Sequence, residues 1–351
     1  MAGAGNREEA VLVTGGSGFL GGWCLVELLR RGYRARATLR DLAREQEVRT
    51  AVASQVQADD RLSFFTADLT ADAGWQEAVA GCDYVLHVAS PFPPVQPKDP
   101  DEVIVPAREG SLRVLRASLD AEVKRVVLTS SVAAVRNSGA DSQDRQLTED
   151  DWSDPDNPRL SPYARSKTIA ELAAWELMRS RGAEDRLVVV APGAIVGPVL
   201  GADRSFSLQL VERLLGGAMP GLPRLGFSLV DVRDVAALEV AAMTAPEAGG
   251  QRLLAVGPFL WVAEVAQILR ERLGPDAAKV PRRKLPDVLV RLAARFDPSL
   301  RPSVADLGKR VTYSTENSRR RAGFSPRPIE ESIVDCARSL LDHPAPAPAP
   351  A

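Results

Sequence analysis

Three stretches of the 351-residue chain carry side chains that can do chemistry together. The first, Gly15-Gly16-Ser17-Gly18-Phe19-Leu20-Gly21, directly follows the apolar run Val11-Leu12-Val13 and opens a segment of helical spacing. Glycines there permit a tight turn and close backbone approach, and the first N–H groups of a helix face an anion, so the stretch suits the phosphates of a dinucleotide. Its spacing is G-x-x-G-x-x-G rather than G-x-G-x-x-G, and alone it is weak evidence, a structural turn being the alternative. The second is Ser131, closing Val126-Val127-Leu128-Thr129-Ser130-Ser131, where a strand-end hydroxyl can donate to a carbonyl oxygen. Thr129 and Ser130 compete for that role, and all three hydroxyls can simply cap the strand. The third is Tyr163-Ala164-Arg165-Ser166-Lys167. If the segment after Pro162 is helical, Tyr163 and Lys167 share a face. An ammonium near a phenol, whose free pKa is about 10, favours phenolate and makes the group an acid or base usable closer to neutrality. A Tyr-x-x-x-Lys pair in isolation is usually surface decoration; glycine turn, strand-end serine and Tyr-Lys helix in this order point to moving a hydride and a proton.

Other residues refine the dinucleotide reading. The run Ala37-Thr38-Leu39 ends on Arg40, where a free ribose 2'-hydroxyl would call for a carboxylate, so a 2'-phosphate is expected, with Arg44 adding a second positive charge. Asp41 beside Arg40 weighs against this, and a solvated arginine is the alternative. Asp68, followed by Leu69, is placed to accept a bond from an adenine amino group or, equally, to cap the segment after Thr70. In His87-Val88-Ala89-Ser90 the small residues let backbone approach a cofactor, while His87 reads as a packed core residue.

These residues need elements to position them. Six short apolar runs, Ala10 to Thr14, Arg34 to Leu39, Leu62 to Thr66, Tyr84 to Val88, Arg125 to Thr129 and Leu187 to Ala191, alternate with helical spacing at Phe19 to Arg31, Trp75 to Ala80, Asp101 to Ala121 and Ser161 to Arg181. That alternation predicts an α/β fold with a doubly wound parallel sheet. After Pro198 it weakens into helical segments at Phe206 to Leu215, Val232 to Met243, Val262 to Leu273 and Pro286 to Phe296, with short strands near Phe227 to Val230 and Arg252 to Val256, a pattern that predicts a smaller, mainly helical cap. The expected division is an N-terminal arm over 1–9, a nucleotide-binding domain over 10–198, a substrate cap over 199–342 with some segments returning to the first domain, and a disordered Pro/Ala tail over 343–351. Two polar or proline-rich stretches, Ser90 to Pro100 and Ala133 to Leu160, follow strand ends, where ligands bind in such sheets.

A net charge of -2 with both signs interspersed argues against a nucleic-acid or anionic-membrane footprint and leaves a small molecule as the expected partner. Cys24, Cys82 and Cys336 lack metal-ligand spacing and are odd in number, so neither zinc nor a disulfide framework is expected. No apolar leader precedes Val11, and the longest apolar stretch, Leu187 to Leu200, is broken by Pro192, Gly193 and Gly197, so a cytoplasmic protein is expected.

On these motifs, together with Arg36-Ala37-Thr38-Leu39-Arg40-Asp41, His87-Val88-Ala89-Ser90-Pro91, Ala191-Pro192-Gly193-Ala194-Ile195-Val196-Gly197-Pro198 and Val230-Asp231-Val232-Arg233-Asp234-Val235-Ala236, the chain resembles the extended short-chain dehydrogenases/reductases from about Val11 to Leu341. Within them it is most similar to the dihydroflavonol reductase and cinnamoyl-CoA reductase-like group and its bacterial aldehyde and ketone reductases. The resemblance implies a Rossmann sheet and hydride transfer from NADPH, preferred over NADH, to a carbonyl carbon. Tyr163 would give the proton, Ser131 would orient the carbonyl oxygen, and Lys167 would hold the nicotinamide ribose and lower the phenol pKa. It implies a cofactor site of Gly15, Ser17, Gly18, Phe19, Leu20, Gly21, Arg40, Arg44, Asp68, Leu69, Val88, Ala89, Ser90, Tyr163, Lys167, Pro192, Ala194, Ile195 and Val196, and no metal. Phe92, Ser131, Val132, Ile195, Met219 and Phe227 are the candidate pocket liners for a hydrophobic aldehyde or ketone. A homodimer through helices such as Asp101 to Ala121 and Ser161 to Arg181 is the assembly common among relatives.

Two rival readings share this fold. A nucleotide-sugar or sterol-type epimerase or dehydrogenase has the same Ser-Tyr-Lys set, but Val189-Val190-Ala191-Pro192-Gly193 stands where epimerases carry an Arg-x-Phe-Asn-like stretch, and Val132-Ala133-Ala134 where dehydratases place Asp-Glu. A non-catalytic NADP-sensing protein would have lost catalytic residues that are intact here.

Overall fold

The computed structural model describes residues 8–91, 99–136, 145–201, 206–296 and 304–343. In chain order its elements are β1 (Ala10–Thr14), α1 (Phe19–Arg30), β2 (Arg34–Leu39), α2 (Glu45–Ala53), β3 (Leu62–Thr66), α3 (Trp75–Val79), β4 (Tyr84–His87), α4 (Asp101–Asp120), β5 (Arg125–Thr129), β6 (Gln146–Leu147), α5 (Pro162–Ser180), β7 (Leu187–Pro192), β8 (Ala194–Val196) and α6 (Phe206–Leu215). They continue with β9 (Gly226–Asp231), α7 (Val232–Thr244), β10 (Gln251–Ala255), β11 (Phe259–Trp261), α8 (Val262–Leu273), α9 (Asp287–Phe296), β12 (Thr312–Tyr313), α10 (Glu316–Ala322) and α11 (Ile329–Asp342).

The main sheet runs β10-β7-β5-β4-β1-β2-β3, all parallel. Its central strands are short apolar runs buried on both faces, as in β7, where every residue is buried. Alternation along each strand sorts side chains between two layers. Val11, Val13, Val127, Val188 and Val190 pack with α1 and α7, whereas Leu12, Val85, Val126, Leu128, Leu187 and Val189 pack with α3, α4 and α5. Strand order reverses between β1 and β4, which opens a crevice at their C-terminal ends, beside the glycine turn.

The six expected strands form, and a seventh joins them. The strand expected near Arg252 in the cap is β10, which pairs with β7 in the register Leu253↔Val190 and closes the edge of the main sheet. A short apolar run carries no mark of which sheet it will enter. Helices α2, α10 and α11 were not expected from the sequence pattern. Yet α11 carries Ile329, Ile333, Val334, Ala337 and Leu340 on one buried stripe, a helical period that was available in the sequence.

A second core gathers α6, α8 and α11 around the three-stranded sheet β11-β9-β8. The Val-Asp-Val-Arg-Asp stretch joins the two cores. Asp231 caps α7 by accepting from the Arg233 backbone at 2.7 Å and pairs with the Arg233 guanidinium, which also holds Asp335 of α11 at 2.8 Å. One turn along, Asp234 accepts from Arg327 at 2.8 Å. No described helix is long and apolar enough to cross a membrane, and Cys24, Cys82 and Cys336 are buried free thiols.

Candidate active site

The glycine turn has the geometry of a phosphate cradle. Gly15 has φ +70°, a left-handed conformation that disfavours side chains, and a Cβ there would also press on Ala89 at 3.0 Å. A Cβ on Gly21 would run into the Gly15 carbonyl oxygen, so α1 can approach the turn this closely only without one. Thr38 fastens the turn to β2, its hydroxyl accepting from Gly15 N and its carbonyl from Gly16 N, both at 3.1 Å. Gly18 caps α1 without a side-chain bond, so the helix's first N–H groups keep their donors for a ligand. These features fit a dinucleotide pyrophosphate.

Around that cradle the expected cofactor residues fall as follows. Arg40 is exposed at the end of β2, and Arg44 donates to the Ser17 hydroxyl at 3.3 Å while pairing with Glu47 at 2.9 Å, so the Arg44 guanidinium borders the turn. The Asp68 carboxylate is engaged locally, accepting from the Thr70 backbone at 2.7 Å and the Thr70 hydroxyl at 2.6 Å, an Asx turn that holds its pKa below the usual carboxylate range. Leu69, Val88, Ala89 and Ser90 are half-buried at the ends of β3 and β4. Ala89 N donates to Thr14 Oγ1 at 3.0 Å. Across the crevice, Pro192 ends β7, and Ala194, Ile195 and Val196 form β8; Trp23 Nε1 of α1 donates to the Pro198 carbonyl at 2.8 Å and ties that segment to the glycine-turn helix. Phe19 and Ile195 pack against the main core, and Leu20 is buried within it.

Ser131, Tyr163 and Lys167 converge at the C-terminal end of β5. Ser161 caps α5, accepting from Ala164 N at 3.2 Å, and Pro162 occupies the first helical turn, so the helix starts where the Tyr-Lys pair requires. The Ser131 hydroxyl lies near enough to the Tyr163 phenol to act on it as a hydrogen-bonding group, pulling its pKa down. Ser131 is extended (φ -162°) and its hydroxyl accepts from Ala133 N at 3.1 Å, which fixes the oxygen against the next turn. Lys167 is buried and donates Nζ to the Thr129 carbonyl at 3.3 Å. Burial pulls its pKa down to about 8, while Glu171 and Glu239 act to raise it.

The phenol departs from expectation. Burial raises the Tyr163 pKa, with the Ser131 hydrogen bond pulling in the other direction, and Lys167 has turned its ammonium to Thr129. A phenol so placed keeps its proton at neutral pH, the state a proton donor needs. Of the competing hydroxyls, Thr129 donates to Glu239 at 2.6 Å and Ser130 to Glu171 at 2.5 Å, so only Ser131 faces the phenol.

Behind this trio lie buried polar groups that the sequence reading missed. Glu171, one turn after Lys167, pairs with Arg252 of β10 at 2.6 Å, and Arg252 also donates to the carbonyls of Glu149 and Asp151 and stacks 3.6 Å over Trp152. Glu239 of α7 is fully buried. A lone carboxylate within Val235-Ala236-Ala237-Leu238-Glu239-Val240 was the available signal. His87 is buried, with Nδ1 2.8 Å from Thr14 Oγ1 and Nε2 unpartnered, so it is a core histidine. Burial, and then the charge of Lys167, push its pKa down to about 3.

His87 therefore gives the fold an acid limit. The unfolded chain takes up its proton near pH 6.5 and the folded chain only near pH 3. Stability falls as pH drops through that window, with His87 contributing about 2 kcal/mol of loss between pH 7.5 and 5. Urea midpoints measured at both pH values should show His87→Gln losing less stability over that interval than wild type by about this amount. Parallel curves would refute the assignment.

Of the expected pocket liners, Val132 follows Ser131 and packs with Val135 and Leu147, whereas Met219 and Phe227 are half-buried against the second core. Phe92 lies outside the described residues.

Comparison with known proteins bears on the family and the fold. The model of the NAD dependent epimerase/dehydratase family matches residues 11–257. Cinnamoyl-CoA reductase 1 of Oryza sativa subsp. japonica is 40% identical over 267 residues, covering 76% of each chain. Cinnamoyl-CoA reductase 2 of Arabidopsis thaliana is 33% identical over 338 residues, 95% of this chain and 93% of that protein. Among solved structures, the yeast methylglyoxal/isovaleraldehyde reductase Gre2 complexed with NADPH superposes with a TM-score of 0.79 at 26% identity, over 95% of this chain and 98% of that one. The doubly wound sheet is that of the extended short-chain type, and the reductases among its relatives make the chain an oxidoreductase. The chain belongs to the NAD dependent epimerase/dehydratase family, and the relatives named here are reductases.

Proposed function

We propose that the chain is an NADPH-dependent reductase acting on the carbonyl of a hydrophobic aldehyde or ketone, with Tyr163 as the proton donor. The observation that carries this reading is the convergence of Ser131, Tyr163 and the buried Lys167 at the end of β5, with the phenol pKa raised by burial. When bound, the nicotinamide supplies the hydride. Gly15, Gly18 and Gly21 would cradle its pyrophosphate, Arg40 and Arg44 the 2'-phosphate, and Lys167 the nicotinamide ribose. Ser131 donates a hydrogen bond to the carbonyl oxygen and Tyr163 gives that oxygen its proton, so negative charge never accumulates on it unaided. The half-buried side chains of Val132, Ile195, Met219 and Phe227 favour an apolar substrate.

The preference for NADPH rests on the Arg44 guanidinium at the turn, on Arg40 at the end of β2 and on the NADPH-bound yeast relative. Following nicotinamide absorbance with both cofactors and a panel of aldehydes and ketones tests the reaction; cofactor binding without turnover across the panel would favour a sensor. Arg40→Asp should weaken NADPH binding by roughly ten- to a hundredfold, the loss of one charge-assisted contact, and leave NADH binding equal or better. An unchanged ratio would remove Arg40 from the phosphate site.

A further inference from the structure

Thr129, the last residue of β5, faces two ways. Its carbonyl accepts from Lys167 Nζ at 3.3 Å, and its hydroxyl donates to Glu239 Oε1 at 2.6 Å. Glu239 Oε2 accepts from the Cys24 thiol at 3.5 Å. A fully buried carboxylate ordinarily requires a paired cation, because desolvation of its charge is costly. Among the described residues no arginine or lysine forms an ion pair with Glu239. Glu171, the other carboxylate close to Lys167, is already matched by Arg252 at 2.6 Å.

We propose that Glu239 is a positioning residue for the reductase reaction: acting through Thr129, it is the countercharge that seats the Lys167 ammonium at the end of β5 and keeps it protonated. This rests on the reading of the chain as a Ser-Tyr-Lys reductase. The groups around the pair come from four elements. Cys24 faces Glu239 from α1, with Glu27 acting on that thiol from the same helix; Thr129 comes from β5; Lys167 and Glu171 come from α5; and His87 of β4 faces Lys167 as a neutral ring. Lys167 is thus the charge that Glu239 senses, and the two act on one another in the expected directions, the carboxylate raising the lysine pKa and the ammonium lowering that of the glutamate. Burial acts against both ions, holding the glutamate near 7 and the lysine near 8, so each depends on the other to remain charged close to neutrality.

Glu239→Gln keeps the shape and an oxygen to accept from Thr129 but removes the charge. The direct test labels the lysine side chains with 13C at Cε and follows the Lys167 signal, assigned with Lys167→Met, through a pH titration without substrate. In Glu239→Gln the Lys167 midpoint should fall by about one pH unit. The alkaline limb of kcat for carbonyl reduction should move toward acid by a similar amount, with KM for the carbonyl changed less than twofold. Thr129→Val, which cuts the bridge and leaves the carboxylate, should shift the midpoint in the same direction, and it carries the test should Glu239→Gln fail to fold. An unmoved Lys167 midpoint, or a loss of kcat that is uniform across pH, would overturn the proposal and leave Glu239 a packing residue. The titration needs no turnover, so absence of carbonyl reduction in wild type would count against the proposed function alone.

Discussion

Tyr163→Phe should reduce kcat for carbonyl reduction by roughly a hundred- to ten-thousandfold while NADPH affinity stays within about threefold of wild type. The substitution removes one oxygen and little else. That oxygen carries a titratable proton and lies within the influence of Ser131, whereas the neighbouring hydroxyls of Ser130 and Thr129 donate to Glu171 and Glu239. The rings are isosteric and the cap of α5, Ser161 accepting from Ala164 N, uses no atom of the phenol, so the fold should be unaffected. Stopped-flow turnover with the best aldehyde from the panel, set against fluorescence titration of NADPH, separates the two effects. Turnover within tenfold of wild type would remove Tyr163 from the reaction.

The largest loss of stability should come from Arg252→Met, about 3–5 kcal/mol by urea unfolding. Arg252 is 8% exposed and Glu171 1%. The substitution leaves the buried Glu171 carboxylate without its guanidinium partner and the carbonyls of Glu149 and Asp151 without that donor. It also removes the guanidinium from the face of Trp152. Adding Glu171→Leu should restore part of the loss, because the penalty lies in the unpaired charge more than in the absent pair. A loss under 1 kcal/mol for Arg252→Met, or additive losses in the double variant, would contradict this account. Arg252 also anchors the 149–152 segment, which leads from Ser131 toward Tyr163, so kcat should fall along with stability.

The elements were legible where local pattern decides them. Val11-Leu12-Val13 followed by glycines announces strand, turn and helix, and Ser161-Pro162 announces the start of α5. Ser131, Tyr163 and Lys167 were legible as a set because each residue type has a chemical reason to stand at its place on β5 or α5. The buried charges were not. Glu171 and Arg252 lie on different elements, and nothing in either segment states that the two will meet away from water. For the same reason the sequence reading sent Lys167 to the phenol: a spacing of four puts two side chains on one helical face, but the direction of a flexible ammonium is set by its acceptors, here the Thr129 carbonyl and the carboxylates behind it. That β10 is one of the segments returning to the first sheet was not legible on another ground, since five residues of buried strand look alike in either sheet.

That strand has a consequence for how the molecule is made. β7 is apolar and buried throughout, yet its outer neighbour is supplied by residues 251–255, about sixty positions further along the chain. During synthesis the edge of the sheet stays open until α6, β9 and α7 have been added, and an unpaired apolar strand of this kind invites pairing with another chain. The nucleotide-binding half is therefore not a self-sufficient piece to which a cap was appended. Its sheet becomes closed to strangers only when the later part of the chain has come back to cover it.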